Sequence, residues 1–239
     1  MRRSFIRAVL TLGSTIMTEV GAAEFHCYYA ADRKSALQKG ESILPKFERY
    51  LRPGPVVDLG CGEGGLLLAL KELGKTELTG VESNQELCTL AASFGVSVLC
   101  KDLLTYLQEE TLRSAVYFYI DVIEHVPFEL NLRLFASLPV GSRLILQTPN
   151  TESVLGHQFF MNVPSHLAPY SPWVIRKMLA RFGYDVTAEG TVDGAHPRDW
   201  KNWLRALLIR FALGLAPEII LGGGNYFAVA DRIRGTNLN

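Results

Sequence analysis

The sequence predicts an α/β fold in which helices cover both faces of a parallel sheet. Three observations lead to this prediction: short apolar runs alternate with helical stretches, the runs are apolar along their whole length, and two further strands close the chain. Alternating strands and helices form parallel sheets, and a strand buried on both faces has no polar side. The chain has 239 residues, of which 48% are apolar and 20% charged, so one domain with a sizeable core is expected.

The predicted elements begin with a helix and then alternate in type. The first helix, 31–51, has apolar residues at helical spacing and ends before Pro53 and Gly54. Strands are predicted from apolar runs at 55–59, 77–81, 96–100, 116–121 and 143–147, and two later strands are expected at 184–192 and 226–231. Further helices are predicted from apolar periodicity at 65–73, 84–94, 103–110, 128–138 and 172–182. A polar loop is expected at 148–170.

The chain is expected to form a single domain over 25–239 with two additions. Residues 1–24 form an N-terminal extension, which is either disordered or the product of a start codon upstream of Met17. They loosely resemble a signal peptide, but Arg7 and nearby polar residues interrupt the apolar stretch, so export is not expected. A helical insertion is expected at 193–224, between the last two strands.

The charge balance argues against nucleic acid as a partner. The 24 Lys and Arg residues are matched by 24 Asp and Glu residues, which gives a formal net charge of zero. Proteins that bind nucleic acid ordinarily carry a basic excess that neutralises phosphates. A small molecule is therefore the expected partner.

The cysteines predict a reducing compartment. Cys27, Cys61, Cys88 and Cys100 show neither metal-ligand spacing nor the disulfide framework of small secreted domains. We therefore expect free thiols and a cytoplasmic location. No uninterrupted apolar run is long enough for a membrane-spanning helix, so none is predicted.

A glycine-rich segment links the first predicted strand to the next helix, and it reads Asp58-Leu59-Gly60-Cys61-Gly62-Glu63-Gly64-Gly65. Glycines permit positive φ and let the backbone approach a ligand closely. Their spacing also satisfies the G-x-G-x-x-G pattern of dinucleotide sites. Asp58 argues against that use, because its charge repels a pyrophosphate and suits a cationic group such as an α-ammonium.

Two further carboxylates end the next two strands. Glu82 is placed to accept both hydroxyls of a ribose, and Asp102 to accept an adenine amino group while Leu103 covers the ring. The carboxyl ends of parallel strands meet in one crevice, so these acidic residues are expected to converge. Taken singly, each could equally be a loop residue or a helix cap. With the glycine loop, they predict a site for a sulfonium donor that carries an adenosine.

These motifs resemble those of class I S-adenosylmethionine-dependent methyltransferases, specifically the ubiquinone-biosynthesis O-methyltransferase-like group. The resemblance covers 25–192 and includes the stretch Tyr119-Ile120-Asp121-Val122-Ile123-Glu124-His125-Val126. Its later part, with 144–150 and Ser165-His166, resembles methyltransferase domains of O-antigen and related sugar or lipid pathways. It implies a Rossmann-like, seven-stranded, mostly parallel sheet with an antiparallel last strand. It also implies S-adenosyl-L-methionine as cofactor and S-adenosyl-L-homocysteine as product.

The resemblance also implies roles for individual residues. The glycine loop wraps the methionine portion, and Asp121 faces its end. A tyrosine lid from Tyr28-Tyr29 and a carboxylate contact from Arg33 are expected, unless these residues are ordinary surface. The residues expected to bind the cofactor are Tyr29, Arg33, Asp58, Gly60, Cys61, Gly62, Gly64, Glu82, Ser83, Asp102, Leu103, Asp121 and Val122.

Two histidines are candidates for a catalytic base. His125 directly follows the fourth strand and His166 comes after the fifth, so both could face the acceptor. An imidazole with a pKa near 6.5 suits the removal of a proton, which a hydroxyl acceptor needs and a neutral amine does not. Alternatively, the resemblance implies that the Glu124-His125 pair only orients the loop beside the cofactor, and His166 only binds the acceptor. No metal site is predicted, because no histidine has a partner at metal-ligand spacing.

Two segments rich in apolar and aromatic residues complete the sequence. Residues Phe159, Phe160, Tyr170 and Trp173 either line an acceptor pocket or pack their loop onto the domain. Segment 199–221 combines tryptophans and leucines with arginines. It could form a lid over an apolar acceptor, a homodimer interface, or an amphipathic segment on a membrane surface.

The sequence thus predicts a methyltransferase that acts on a small molecule, with an O-methyltransferase in the biosynthesis of a secondary metabolite, sugar or lipid preferred. An N-methyltransferase is the first alternative. An NAD-dependent oxidoreductase is disfavoured by Asp58 and by the two late strands. A non-catalytic subunit is disfavoured by the intact glycine loop and carboxylates.

Overall fold

The computed structural model describes residue 30, residues 32–192 and residues 223–235. Within them the strands are β1 (Val56–Leu59), β2 (Leu78–Glu82), β3 (Val98–Cys100), β4 (Val116–Ile120), β5 (Arg143–Pro149), β6 (Tyr184–Val192) and β7 (Asn225–Arg232). They form one sheet in the order β3-β2-β1-β4-β5-β7-β6. The first five strands are parallel, and β7 lies antiparallel between β5 and β6. The predicted seven-stranded sheet with an antiparallel last strand is confirmed.

The strand order opens a crevice at the carboxyl ends of β1 and β4. From β1 the chain moves outward through β2 to β3, and it then crosses back to β4 on the other side of β1. Ligands of open α/β sheets bind where the strand order reverses in this way. The glycine loop and the residues after β4 both lie at this point.

The helices are α1 (Arg33–Phe47), α2 (Gly65–Glu72), α3 (Gln85–Ser93), α4 (Leu103–Glu109), α5 (Phe128–Ser137), α6 (Val154–Met161) and α7 (Pro172–Arg181). Short 3₁₀ turns span Glu48–Tyr50 and Ile123–His125. Helix α1 begins where Asp32 accepts a hydrogen bond from the Ser35 amide at 2.9 Å.

Strand β4 shows how a strand that is covered on both faces becomes apolar throughout. Tyr117 and Tyr119 pack into one hydrophobic cluster, whereas Val116 and Phe118 pack into a second cluster on the other face of the sheet. All four side chains are buried. A strand covered on both faces has no position for an exposed polar residue.

Helix α1 packs on α2 through two glycines. An added Cβ at Gly40 would lie 2.0 Å from the carbonyl oxygen of Gly65, so the two backbones are in direct contact. Since Gly65 is the first residue of α2, this contact holds α1 beside the glycine loop.

Part of the predicted polar loop is a helix. Helix α6 begins after Ser153, whose hydroxyl accepts a hydrogen bond from the Gly156 amide at 2.9 Å. The prediction of a loop over 148–170 is therefore wrong for 154–161. An internal glycine ordinarily indicates a loop, but a Cβ at Gly156 would lie 2.2 Å from the carbonyl oxygen of Asn150. The glycine thus serves the packing of the helix.

The expectation of free thiols is wrong for one pair of cysteines. Cys88 and Cys100 form a disulfide with their Cα atoms 5.7 Å apart. The chain returns from α3 to β3, next to β2, which brings these residues together although 12 positions separate them. Cys61 is a free and buried thiol.

Several predicted features lie outside the described residues: the extension 1–24, Tyr28 and Tyr29, and segment 199–221 within the insertion 193–224. In the part of the chain that the structure describes, no helix combines the length and apolarity needed to cross a membrane.

Candidate functional site

The glycine loop takes the backbone conformation that its sequence predicts. Gly60, Gly62 and Gly64 have φ angles of 79°, 54° and 79°. An added Cβ at Gly60 would lie 2.6 Å from a methyl group of Val122, so the loop passes directly against the chain that follows β4. Only glycine accepts this φ angle together with this contact.

A cavity of about 220 Å³ beside the loop is lined by acidic groups. Asp58, Glu63, Glu82 and Asp121 line it, and Lys39 is the basic residue among its walls. Lys39 Nζ lies 3.0 Å from Glu63 Oε1. The acidic groups outnumber the basic one, so the cavity favours a cationic ligand. We call it the acidic cavity.

Asp58 is buried at the end of β1. Burial raises the pKa of the Asp58 carboxyl to about 7, and the neighbouring charges of Glu82 and Glu63 add to the rise while Lys39 opposes it. A bound cation would favour the charged form of this carboxyl. Ionisation of Asp58 and binding of a cation are therefore coupled.

Glu82 connects the glycine loop to the turn after β2. Its Oε2 accepts a hydrogen bond from the Gly62 amide at 3.0 Å, and its Oε1 accepts one from the Asn84 amide at 2.8 Å. The Ser83 hydroxyl donates to the same Oε1 at 3.4 Å. These bonds fix the carboxylate at the edge of the acidic cavity.

A second cavity of about 190 Å³ shares Gly60 and Glu82 with the first. Its walls are mostly apolar, and they include Leu59, Val81, Leu103, Tyr119, Val122 and Val126. We call it the apolar cavity. Because Glu82 lines both cavities, one elongated ligand could occupy them together.

Asp102 also lines the apolar cavity, but its side chain caps α4. Oδ1 accepts a hydrogen bond from the Thr105 amide at 2.9 Å, and Oδ2 accepts one from the Thr105 hydroxyl at 3.0 Å. The helix-cap alternative therefore describes this carboxylate in the structure. Its role toward an adenine ring stays a prediction.

Asp121 follows β4 and has a φ of 54°, which makes it the non-glycine residue with positive φ in the described ranges. Such a conformation is strained and persists only where the surroundings hold it. Gln147 stabilises this conformation, because its Nε2 donates hydrogen bonds to both carboxylate oxygens of Asp121 at 3.1 and 2.9 Å. The strained residue, Asp121, thus lines the acidic cavity.

The other predicted cofactor residues differ in whether they line a cavity. Arg33 is exposed on α1 and lines neither cavity, and its guanidinium lies 3.3 Å from Glu72. Cys61 lines the acidic cavity, and burial raises the pKa of its thiol well above the usual range. Sequence reasoning missed Lys39 as a cavity residue, whereas Glu63 was expected as part of the glycine loop that wraps the methionine portion. No sequence pattern signalled Lys39, because its place in the cavity depends on the packing of Gly40 against Gly65.

The two candidate histidines lie together. The rings of His125 and His166 meet edge to face with their centroids 4.6 Å apart, and His166 Nε2 lies 3.9 Å from Glu124 Oε1. Glu124 is buried, and sequence reasoning had given it no chemical role. Its pKa is raised to about 8 by burial and by the charge of Asp121.

Burial also shifts both imidazoles toward the neutral form. It lowers the pKa of His125 to about 4, with a further contribution from His166, and it lowers the pKa of His166. His125 lines the apolar cavity together with Val122. A pKa of about 4 leaves the His125 imidazole uncharged at neutral pH, where its lone pair can accept a hydrogen bond from a hydroxyl but is a weak base.

Some of the aromatic residues of this region pack against the domain, and others are exposed. Tyr170 is buried and accepts a hydrogen bond from Asn131 Nδ2 at 3.0 Å, so it packs its loop onto the domain. Phe160 stacks on the His166 ring at 5.0 Å between centroids. Phe159 and Trp173 are 37% and 59% exposed, so they are available to contact a partner.

Comparison with known protein families and sequences gives one partial match. The family described as methionine biosynthesis protein MetW matches residues 44–154, slightly less than half of the chain. No curated protein matches the chain at a significant level.

Solved structures share the fold. A methyltransferase dependent on S-adenosylmethionine from Archaeoglobus fulgidus aligns with a TM-score of 0.60 and 20% identity, over 80% of this chain and 94% of its own. One from Mesorhizobium loti gives 0.54 and 15%, over 79% and 96%. Magnesium protoporphyrin IX methyltransferase from Synechocystis, with bound S-adenosylmethionine, gives 0.57 and 15%, over 93% and 96%. The chain therefore has the class I methyltransferase fold.

Proposed function

We propose that this protein is a methyltransferase that uses S-adenosyl-L-methionine and releases S-adenosyl-L-homocysteine. The position of Glu82 carries this proposal. Its carboxylate lies between an acidic and an apolar cavity and is bonded to the glycine loop. S-Adenosylmethionine has the matching order of groups: a cationic amino acid end, a ribose and an apolar ring.

The charges of the site favour this donor over a dinucleotide. The sulfonium and α-ammonium groups are cationic, and Asp58 and Asp121 line the cavity that would hold them. A pyrophosphate in the same place would meet carboxylates instead of the amide and basic groups that bind phosphates. An oxidoreductase that uses NAD is therefore disfavoured.

The proposed contacts follow from the cavity walls. Gly60 and Gly62 line the acidic cavity and would surround the methionine portion, with Gly64 next to them in the loop, and Glu82 would accept the ribose hydroxyls. Leu103 and Val122 line the apolar cavity, where they would pack on the adenine. Asp121 would face the methionine end, close to the reacting methyl group.

The proposed acceptor is a small molecule with a hydroxyl group, and the preferred reaction is O-methylation in the biosynthesis of a secondary metabolite, sugar or lipid. His125 lines the apolar cavity and His166 packs against the His125 ring, which supports this choice, because a hydroxyl must lose its proton during transfer and an imidazole lone pair can receive it. The resemblance to ubiquinone-biosynthesis and O-antigen methyltransferases supports the same choice. N-methylation of a small molecule stays the alternative, since a neutral amine needs no base.

Methyl transfer from a sulfonium is an in-line displacement. The acceptor oxygen forms a bond to the methyl carbon, the S–C bond breaks with its electron pair passing to sulfur, and the acceptor proton leaves. The donor is already activated, so the protein has to orient the acceptor and exclude water. Orientation can contribute several kcal/mol, with roughly 7–11 in ideal intramolecular cases.

A cytoplasmic location belongs to this proposal, because the donor is supplied there. The Cys88–Cys100 disulfide removes the support that free thiols had given it. A homodimer or membrane contact through 199–221 also stays a proposal.

Titration calorimetry with S-adenosylhomocysteine and with NAD tests the proposed donor. We expect S-adenosylhomocysteine to bind with one site per chain and NAD not to bind. Asp58→Asn keeps the shape of the side chain and removes its charge, so it should weaken binding. Asp185→Asn, on the exposed side of β6, is the matched control. Binding of NAD, or equal affinity in both variants, would contradict the proposal.

A further inference from the structure

Glu124, His125 and His166 each bring one potential ligand atom to a common point, and these atoms lie within 4.8 Å of one another. Glu124 and His125 belong to the 3₁₀ turn after β4, whereas His166 belongs to the loop after α6, so the fold unites them. We propose that this cluster binds a divalent transition-metal ion, which holds an oxygen of the acceptor beside the donor methyl group. The role toward the acceptor rests on the proposed function, and the metal site does not.

The hydrogen bonds of His166 orient it as a ligand. Its Nδ1 lies 2.7 Å from the carbonyl oxygen of Phe160, which can only accept, so Nδ1 carries the hydrogen. The lone pair is then on Nε2, the atom that faces Glu124 Oε1. Metal-binding histidines characteristically donate from their other nitrogen to a carbonyl or carboxylate in this way.

His125 is held in a similar manner. Its Nδ1 lies 3.3 Å from the carbonyl oxygen of Ser165 and 3.0 Å from the Ser165 hydroxyl. The proposed tautomer has its hydrogen on Nδ1, where the Ser165 oxygens accept it, and this leaves Nε2 as the ligand atom. The partner residue directly precedes His166, so one short segment holds the two imidazoles at the same point.

Glu124 is oriented from the opposite side. Its Oε2 accepts a hydrogen bond from the Thr148 hydroxyl at 3.0 Å, and its Oε1 is directed toward His166. The separation of 3.9 Å between Oε1 and Nε2 is too long for a direct hydrogen bond. Two ligands of one ion, at bonds of about 2.0–2.2 Å, lie roughly 3.0–3.5 Å apart. This pair would therefore have to close by about 0.4–0.9 Å, and the widest separation in the cluster, up to 4.8 Å, by about 1.3–1.8 Å to complete the coordination.

The ligand types select the class of ion. Two imidazole nitrogens and one carboxylate oxygen suit Zn²⁺, Mn²⁺, Fe²⁺ or Co²⁺, whereas Mg²⁺ and Ca²⁺ prefer oxygen ligands alone. Three protein ligands leave coordination positions open for water or for an acceptor oxygen. The cluster therefore matches a catalytic site better than a closed structural one.

The location suits methyl transfer. His125 lines the apolar cavity, and Asp121 lines the acidic cavity three residues before Glu124. A hydroxyl bound to the ion would lose its proton to water more readily, because the ion stabilises the oxyanion. That oxygen would then form the bond to the methyl carbon while the sulfur of the donor takes the electron pair of the broken S–C bond.

Titration with Co²⁺ tests the site without relying on catalysis. The full chain is first dialysed against a chelator, and visible absorption of bound Co²⁺ then reports stoichiometry and affinity. We expect one ion per chain in the wild type and at least tenfold weaker binding in His166→Gln and in His125→Gln. His157→Gln is the matched control, since His157 is exposed on α6 and lies outside the cluster. Excess Mg²⁺ should not displace the Co²⁺.

Each outcome decides between a metal site and a metal-free acid–base cluster. The absence of bound Co²⁺ in the wild type, or equal affinity in all three variants, would overturn the proposal. Circular dichroism of each variant checks that the fold survives, and the wild-type titration stands if a variant does not fold. Calorimetry with S-adenosylhomocysteine on the same samples keeps the two proposals apart, because failure of donor binding leaves the metal result intact.

Discussion

The carboxylate of Glu82 at the end of β2 accepts a hydrogen bond from the Gly62 amide, 3.0 Å away in the loop that follows β1. Its second oxygen accepts from the Asn84 amide at 2.8 Å. Both donors are backbone amides of the protein itself, so they hold the carboxylate where the acidic and apolar cavities meet. A group fixed in advance loses little freedom when it binds a ribose, which favours affinity.

Replacement of Glu82 should therefore weaken binding of S-adenosylhomocysteine. Glu82→Gln keeps the size of the side chain but removes its charge. Hydrogen bonds to charged groups contribute roughly 1.5–3 kcal/mol, which corresponds to a loss of about tenfold to a hundredfold in affinity. Calorimetry measures the change, and Glu129→Gln on the exposed side of α5 is the control. Unchanged affinity in Glu82→Gln would remove Glu82 from the ribose site.

Donor affinity should also depend on pH through Asp58. The pKa of this carboxyl in the free protein is about 7, and a bound cation favours its charged form. Below pH 7 Asp58 must lose a proton before it can pair with the ligand, so affinity should rise with pH, by up to about tenfold per unit, and level off above pH 7. Calorimetry between pH 5.5 and 8.5, run with Asp58→Asn as control, checks this. A wild-type profile as flat as that of the variant would argue against the contact.

The fold was predictable because the evidence for it is local. The apolar runs at Val56–Leu59 and Val116–Ile120, and the two late strands, indicate the sheet without knowledge of distant contacts. Helix α6 was missed because its short apolar segment contains Gly156, whose value lies in a close contact with Asn150. The Cys88–Cys100 disulfide was missed for a related reason, since only the return of the chain from α3 to β3 brings the two residues together.

For the site, too, some residues could be predicted from the sequence and others could not. The glycine loop and Glu82 follow strand ends, so their convergence could be predicted from the order of elements. Lys39 could not be placed in the acidic cavity, because that depends on the packing of Gly40 against Gly65. The cluster of Glu124 with two histidines was also invisible. Its members are separated in the sequence by helices α5 and α6, and spacing rules see only ligands that share one element.

Substitution of either clustered histidine should slow turnover more than it weakens donor binding. His125→Ala removes the imidazole that lines the apolar cavity, and His166→Ala removes the one that faces Glu124. Loss of proton transfer or of a metal ligand should reduce turnover by about a hundredfold or more. Labelled donor with a panel of hydroxyl-bearing acceptors measures the rate, and S-adenosylhomocysteine calorimetry measures the affinity. His157→Ala serves as control. If neither variant slows the reaction, the acceptor needs no base and amine methylation becomes the better proposal.

Loss of the disulfide should lower stability. The Cys88–Cys100 bond closes a short loop, with a sequence separation of 12, and bonds that close loops of this size stabilise by about 2–3 kcal/mol when they limit the unfolded chain. The double variant Cys88→Ser, Cys100→Ser should therefore unfold at lower denaturant concentration. Wild type with reductant should approach the variant, whereas the variant itself should not respond to reductant. Equal unfolding free energies with and without the bond would contradict the prediction.

Substitution of Gly40 should destabilise the protein and weaken donor binding together. Alanine ordinarily stabilises a helix relative to glycine by roughly 0.5–1 kcal/mol, so propensity alone predicts a gain. The contact predicts the reverse, since the new Cβ would lie 2.0 Å from the Gly65 carbonyl oxygen, which is backbone and has little room to move. Overpacking of this kind typically costs about 1–3 kcal/mol, so the clash outweighs the gain.

Displacement of α1 in Gly40→Ala would also move Lys39 from the acidic cavity and disturb the start of α2. Denaturant unfolding and calorimetry with S-adenosylhomocysteine measure the two effects, with Gln38→Ala at an exposed position of α1 as control. A more stable Gly40→Ala variant with unchanged affinity would show that α1 does not press on the glycine loop.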